Sequence, residues 1–258
     1  EALQRTQAEV LELIACGASL DLVLTRLAQM VEDHTLGARV AIVLRDDNVL
    51  RLGSGHRLDP RLVELLDGAP THEWPDAVRT ALFRSETFVG NVADADLKPE
   101  TRATLVDIDV AALTAIPIVH ERDGDPVTGA VLVLLDTERT LNTHEDLVAS
   151  NATRLAAIAV QRHRVELQMS HLAHHDRLTG LPNRAQLQSR LDEGIRQARI
   201  HQSSIGVMFL DLDQFKSVND SRGHMAGDRL LTQVARRIQG LVRETDLVAR
   251  LGGDEFAI

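Results

Sequence analysis

The 258-residue sequence predicts an α/β (α+β) protein of two domains joined by a helix. Three observations lead there. Helix-period apolar positions open the chain and are followed by strand-like runs at 40–44, 49–52, 115–119 and 127–135. A stripe at Leu155, Ile158, Arg162, Val165, Met169 and Leu172 repeats at spacings of three and four, as a connecting helix would. After it comes a new apolar run, Ile205-Gly206-Val207-Met208-Phe209-Leu210, and the chain closes on Gly252-Gly253-Asp254-Glu255.

The opening amphipathic helix carries Val10, Leu13 and Ile14. Past Gly17 it continues through Leu20, Leu24, Leu27 and Val31. Asp46-Asp47-Asn48 marks a hairpin turn between the first two strands, and residues 121–126 mark another between the last two. The stretch between these hairpins contains Pro70, Pro75 and Pro99 and suits short helices and loops over one sheet face. A final helix starts near His144.

In the C-terminal part, 205–210 reads as a buried central strand, because it is almost continuously apolar. It ends in Asp211-Leu212-Asp213, and the period of two places both acids on one face at the strand end, where ligands gather in open α/β sheets. Neighbouring carboxylates are costly without a cation or donors, and hard oxygen ligands favour Mg²⁺. Gly252 and Gly253 suit a tight hairpin with backbone open to a ligand, and Asp254 and Glu255 stand at its tip. Lys216 can meet a phosphate, while Asn219 and Asp228 offer the donors and acceptors that a guanine edge requires.

These segments occur in an order that resembles the GGDEF family of diguanylate cyclases. Asp176-Arg177-Leu178-Thr179-Gly180-Leu181-Pro182-Asn183-Arg184 is similar to the family's opening segment. Asp211 to Asp220, Gly223-His224-Met225-Ala226-Gly227-Asp228 and Gly252-Gly253-Asp254-Glu255-Phe256 follow in family order. The resemblance covers residues 174–258 and implies a polymerase-palm-like, ferredoxin-like domain. It implies that two GTP molecules condense to cyclic di-GMP with release of pyrophosphate. Asp211, the Leu212 carbonyl and Asp254 would hold Mg²⁺ or Mn²⁺, with Glu255 assisting. Asp254 or Glu255 would accept a proton or orient the attacking hydroxyl. Asn219 and Asp228 would read guanine, Phe215 and Lys216 would line the phosphate region, and Gly252 and Gly253 would let the nucleotide lie on the backbone. Arg243 and Asp246 sit where the family has a product-binding inhibitory site. Two alternatives are a degenerate GGDEF domain that binds GTP or cyclic di-GMP without catalysis, and a domain followed by an EAL phosphodiesterase. The intact acids speak against the first.

Residues 1–165 resemble a GAF-type sensor domain, on Leu20 to Glu32, Ala115-Ile116-Pro117-Ile118 and Gly129-Ala130-Val131-Leu132-Val133-Leu134; a PAS-like fold is the alternative. Its ligand is not readable from the sequence. A coiled-coil linker over 150–175 overlaps the domain end and implies a homodimer, with Arg162 weakening the pair or setting its register; a surface helix packed on its own domain is the alternative. Glu1 in place of methionine, and an end two residues beyond Phe256, suggest a fragment with little activity by itself.

Net charge is −10, from 28 basic and 38 acidic residues, which disfavours nucleic-acid partners. Five Phe, one Trp and no Tyr leave little to stack on single strands. A single cysteine, Cys16, excludes an internal disulfide and reads as a small core residue. His171, His174 and His175 read as a solvated junction rather than a metal site. No run reaches membrane-span length and no signal peptide is visible, which suggests a cytoplasmic protein.

Overall fold

The computed structural model describes residues 2–46, 49–68, 70, 76–93, 97–119, 127–243 and 245–258. The expected turns at 47–48 and 121–126, together with Pro75 and Glu244, lie outside the described residues. The chain divides into two compact units, Glu1–Arg164 and Val165–Ile258.

In the first unit, α1 (Ala2–Ala15) and α2 (Leu20–His34) replace a single opening helix. Their break is a Schellman turn: Ala18 N–H donates to Leu13 O and Gly17 N–H to Ile14 O, with Gly17 at φ +81°. Cys16 sits in this turn and is exposed, which corrects its expected place in the core. Its side chain leaves a helix end, not the apolar stripe. That stripe runs through Val23, Leu24, Leu27 and Val31, all buried.

Strands β1 (Ala38–Asp46), β2 (Val49–Ser54), β3 (Phe88–Asn91), β4 (Ala112–Val119) and β5 (Val127–Leu135) form an antiparallel sheet in the order β2-β1-β5-β4-β3. Side-chain alternation divides it into two apolar layers. Val40, Ile42, Ile116, Ile118, Val131 and Val133 join the cluster built with α1, α2 and the long helix α6 (Thr143–His174). Ala41, Val43, Leu113, Ala115, Leu132 and Leu134 join a cluster with α3 (Pro60–Leu66), α4 (Asp76–Arg84) and α5 (Pro99–Asp107). Central β5 is buried along its whole length, as its uninterrupted apolar sequence requires. Pro117 falls beyond the end of β3, where β4 has β5 as its sheet neighbour.

Helix α6 opens on a capping box. Asn142 Oδ1 accepts from the His144 and Glu145 N–H groups, and Glu145 Oε2 accepts from Asn142 N–H. Val148, Ala149, Ala152, Ala156 and Ala159 face the core, small enough for the helix to approach the sheet closely. Arg162 does not occupy an outward seam. It donates to the carbonyl oxygens of Ile14 and Ala18 in the Schellman turn, satisfying the end of α1. Leu155 also packs on the core, whereas Ile158, Met169 and Leu172 are exposed. Among the described residues no helix is long and apolar enough to cross a membrane.

The second unit contains α7 (Arg184–His201), β6 (Phe209–Leu210), α8 (Phe215–Arg222), α9 (His224–Gln239), β7 (Ala249–Gly252) and β8 (Glu255–Ala257). Its sheet order is β6-β8-β7, with antiparallel pairing throughout. Leu181, Leu231, Ala235, Val248 and Phe256 form its core. The segment 205–210 is not the buried central strand expected from its composition. Only Phe209 and Leu210 are strand, and they stand at an edge beside β8. Ile205, Val207, Met208 and Phe209 are exposed, and the first three precede the strand altogether.

Candidate functional site: the acidic hairpin and its neighbours

The site is built on the β7–β8 hairpin. Gly252 pairs with Glu255, leaving Gly253-Asp254 as the turn, and Gly253 has φ +52°. A positive φ there is disfavoured for residues with a Cβ, so the turn depends on glycine. Phe256, fully buried, anchors the hairpin from below, while Glu255 stays exposed. Pairing of Phe209 with Ala257 and Leu210 with Phe256 lays β6 beside β8. Asp211 therefore emerges next to the hairpin tip.

The electrostatics agree with that placement. The Asp211 carboxyl is raised above its ordinary range, first by the negative charge of Asp254, then by desolvation and by Glu255 and Asp213. Acids more than forty positions apart in sequence thus repel one another in one place. A cation would relieve this repulsion. The Leu212 carbonyl accepts from Phe215 N–H at 3.1 Å and keeps a second lone pair. Among the described residues no group of three His, Cys, Asp or Glu side chains is placed to hold a metal ion by itself. Two carboxylates and a carbonyl fit a hard ion that fills its remaining positions with water and phosphate oxygens.

Helix α8 follows directly, started by Gln214 at φ +62°. Phe215 and Asn219 are half-buried and Lys216 is exposed. Gly223 ends α8 and begins α9, so the chain reverses and sets Gly227 against Asn219 and Phe215. Asp228 is exposed one residue further on. Asn219 and Asp228 are thereby brought to adjoining turns of two helices. Arg243 and Asp246 stand apart from the hairpin tip in sequence, in an exposed turn closed by Asp246. The Asp246 carboxylate accepts from Arg243 N–H at 3.0 Å, and Asp246 N–H donates to Arg243 O at 3.0 Å.

Two residues to which sequence reasoning gave no role tie this site to the segment before α7. Arg250, in β7, donates to Asp176 Oδ1 at 2.9 Å and through two nitrogens to Gly253 O at 3.1 and 2.6 Å. Asp176 also accepts from Thr179 N–H and Oγ1, at 2.9 and 2.6 Å. Burial pushes the Asp176 carboxyl up, but these bonds from Thr179 and Arg250 outweigh it and hold the group below its ordinary range. One guanidinium thus connects the loop at 176–180 to the carbonyl at the hairpin tip. A signal was present, since Arg250 is the one charge in an otherwise apolar strand beside the glycines, and Asp176-x-x-Thr179 is a side-chain turn motif. A further cation, Arg184 at the start of α7, lies 3.8 Å from Glu255 Oε2 on the surface. His174 and His175 contact the carbonyl oxygens of Ser170 and Gly180, as helix-end and turn residues; the His171 side chain lies outside the described set.

Residues 173–258 match the family described as the diguanylate cyclase GGDEF domain. This segment is a GGDEF domain. Diguanylate cyclase TpbB of Pseudomonas aeruginosa is 54% identical over 90 residues, 35% of this chain and 21% of that protein. Cyclic di-GMP phosphodiesterase PdeB of Shewanella oneidensis is 33% identical over 201 residues, 78% of this chain and 21% of its own. The GGDEF domain of DgcB from Caulobacter crescentus, solved in complex with c-di-GMP, is 38% identical with a TM-score of 0.32; the match covers 33% of this chain and 48% of that one. The chain spans about a fifth of the length of these two curated relatives.

Proposed function

We propose that this chain belongs to a diguanylate cyclase in which the GGDEF domain condenses two GTP molecules into cyclic di-GMP. In each half-reaction a 3′-hydroxyl attacks the α-phosphate of the other nucleotide, a P–O bond forms, and pyrophosphate leaves. Two such steps close the ring and release two pyrophosphates. What supports this reading is the pairing of β6 with β8, which brings Asp211 beside the hairpin of Asp254 within a GGDEF domain; the raised Asp211 carboxyl is in keeping with it.

Asp211, the Leu212 carbonyl and Asp254 would hold Mg²⁺ or Mn²⁺. Bound there, the ion would spread the charge that builds on the phosphate. Glu255 or Asp254 takes the hydroxyl proton or orients that group. Asn219 and Asp228 bind the guanine edge, Lys216 and Phe215 border the phosphates, and Gly252 and Gly253 admit the nucleotide to the backbone. Arg243 and Asp246 form a product-binding inhibitory site. The first unit is a GAF-like sensor, on the strength of its antiparallel sheet with helices on both faces. A homodimer through the sensor and α6 would bring two GTP-loaded domains face to face. The exposed Ile158, Met169 and Leu172 support that association.

The test is incubation of the purified full-length protein with GTP and Mg²⁺, with chromatography for the cyclic dinucleotide and a pyrophosphate assay. Asp254→Ala should lower both products together by about a hundredfold or more. Equal product from the variant, or no cyclic dinucleotide from the parent protein, would overturn the reading.

A further inference from the structure

Gly227 lies inside α9 with its backbone in the ordinary helical range, so it is not there for conformational freedom. Glycine is a poor helix former, and alanine would serve this helix better if space allowed. Space allows it only if the Asn219 side chain moves. A Cβ built on Gly227 would lie 2.1 Å from Asn219 Oδ1, 3.0 Å from Asn219 Cγ and 3.1 Å from Phe215 Cζ. The bare Cα is therefore a wall against which the Asn219 amide and the Phe215 ring both rest.

We infer that Gly227 is a positioning residue for base recognition: its missing side chain fixes where the Asn219 amide stands. This rests on the reading of Asn219 as a guanine contact. An Asn side chain has a broad, roughly two-fold terminal torsion, so its amide needs a stop to hold one orientation. The stop is the turn of α9 that carries Asp228, the second proposed base contact. The connection through Gly223 is short, and Gly223 N–H donates to Asn219 O at 2.8 Å, so α8 and α9 are tied next to this contact. A methyl group at 227 would either turn the amide or separate the two helices. Both outcomes displace Asn219 relative to Asp228, while Lys216 and the hairpin glycines are not among the nearest contacts of the added methyl.

The readout that isolates this role is base selectivity, because GTP and ATP share the triphosphate and differ in the base. Binding of each nucleotide to the purified protein with Mg²⁺ is measured by calorimetry for the parent protein, Gly227→Ala, Asn219→Ala and the double variant. The expected result is that Gly227→Ala lowers the preference for GTP over ATP about tenfold, the scale of one misplaced polar contact. In the Asn219→Ala background the second change should lower the GTP preference no further, because the oxygen nearest the added methyl is gone. If Asn219→Ala lowers GTP preference and Gly227→Ala does not, the inference falls while the base-reading role of Asn219 stands. If Asn219→Ala leaves the preference intact, the base-reading role itself falls and the inference with it. Should Gly227→Ala fail to fold, recovery of folding in the double variant supports the steric coupling, and continued unfolding overturns it.

Discussion

Two carboxylates in this chain occupy opposite electrostatic situations. Glu145, at the start of α6, has a side chain only 6% exposed and meets Arg139 at 2.7 and 3.0 Å. The Arg139 guanidinium is the largest influence on it and, against the opposing effect of burial, holds its carboxyl below the ordinary range. Asp211, in the GGDEF domain, is exposed and its carboxyl is pushed up by Asp254. The first unit pairs its acid with a cation and joins it to the fold: Arg139 also donates to Leu36 O at 2.9 Å, and Glu145 closes the capping box. The second leaves like charges facing one another at a glycine turn. A fold that stabilises one acid and tolerates repulsion at others is separating structure from function.

The largest expected effects test that separation directly. Asp254→Ala should remove turnover while leaving the melting temperature of the metal-free protein unchanged or higher, because the repulsion on Asp211 is relieved. A melting temperature that falls along with activity would mean that Asp254 is structural, and the contrast would fail. Glu145→Gln is the reciprocal change. It leaves Arg139 without its anion and should cost the first unit about 1–3 kcal/mol in a denaturant melt.

The pH dependence of the first unit follows from the same pair. The folded-state pKa of Glu145 lies below its ordinary 4.5, so near that pH the unfolded chain binds more protons than the folded one. The stabilisation is fully present above pH 4.5 and is lost as pH falls through the lower folded value. Melts taken from pH 7 down to pH 3 should steepen in loss below 4.5. The Glu145→Gln variant should show a flatter curve over that window, and identical curves would remove Glu145 from the account.

A smaller effect is expected at Asp176. Asp176→Asn keeps a side-chain oxygen for Thr179 but discharges the partner of Arg250, whose other bonds fix Gly253 O. Turnover should fall about tenfold, the worth of one charge-assisted hydrogen bond. Steady-state assays on folded protein measure this, and an unchanged rate would show that the hairpin tip holds its shape without the loop at 176–180.

Much of this arrangement was legible in the residues. The strands at 38–46, 112–119 and 127–135 follow their apolar runs, and the glycine hairpin with its acids is a local signal that needs no tertiary information. Asp211 and Asp254 were expected together; β6 pairs with β8 beside the hairpin, and the Asp211 carboxyl is raised by the Asp254 charge. What was not legible depends on which side of an element meets another. Periodicity grouped Leu155, Ile158 and Arg162 on one stripe, yet Leu155 packs on the core and Arg162 turns to the Schellman carbonyls, while Ile158 is exposed. Composition made 205–210 look buried, but burial of a strand is set by its neighbours, and β6 lies at an edge. The bond from Arg250 to Asp176 joins residues 74 positions apart, a distance that no local pattern spans.

The smallest expected change concerns Arg184 and Glu255, and it sharpens the contrast between the two regions. Their side chains are 73% and 56% exposed and 3.8 Å apart, a geometry in which water and salt screen most of the attraction. Arg184→Ala should therefore leave the melting temperature unchanged within the error of the measurement, unlike the loss expected for Glu145→Gln. Its charge still lies beside the acids of the hairpin, where it offsets part of their negative field. Removing it should strengthen the draw of that field on a divalent cation, so half-maximal Mg²⁺ concentration in the GTP assay should fall rather than rise, by about twofold at low salt, and the difference should shrink as salt is added. A rise would mean that Arg184 acts on the nucleotide phosphates instead of on Glu255.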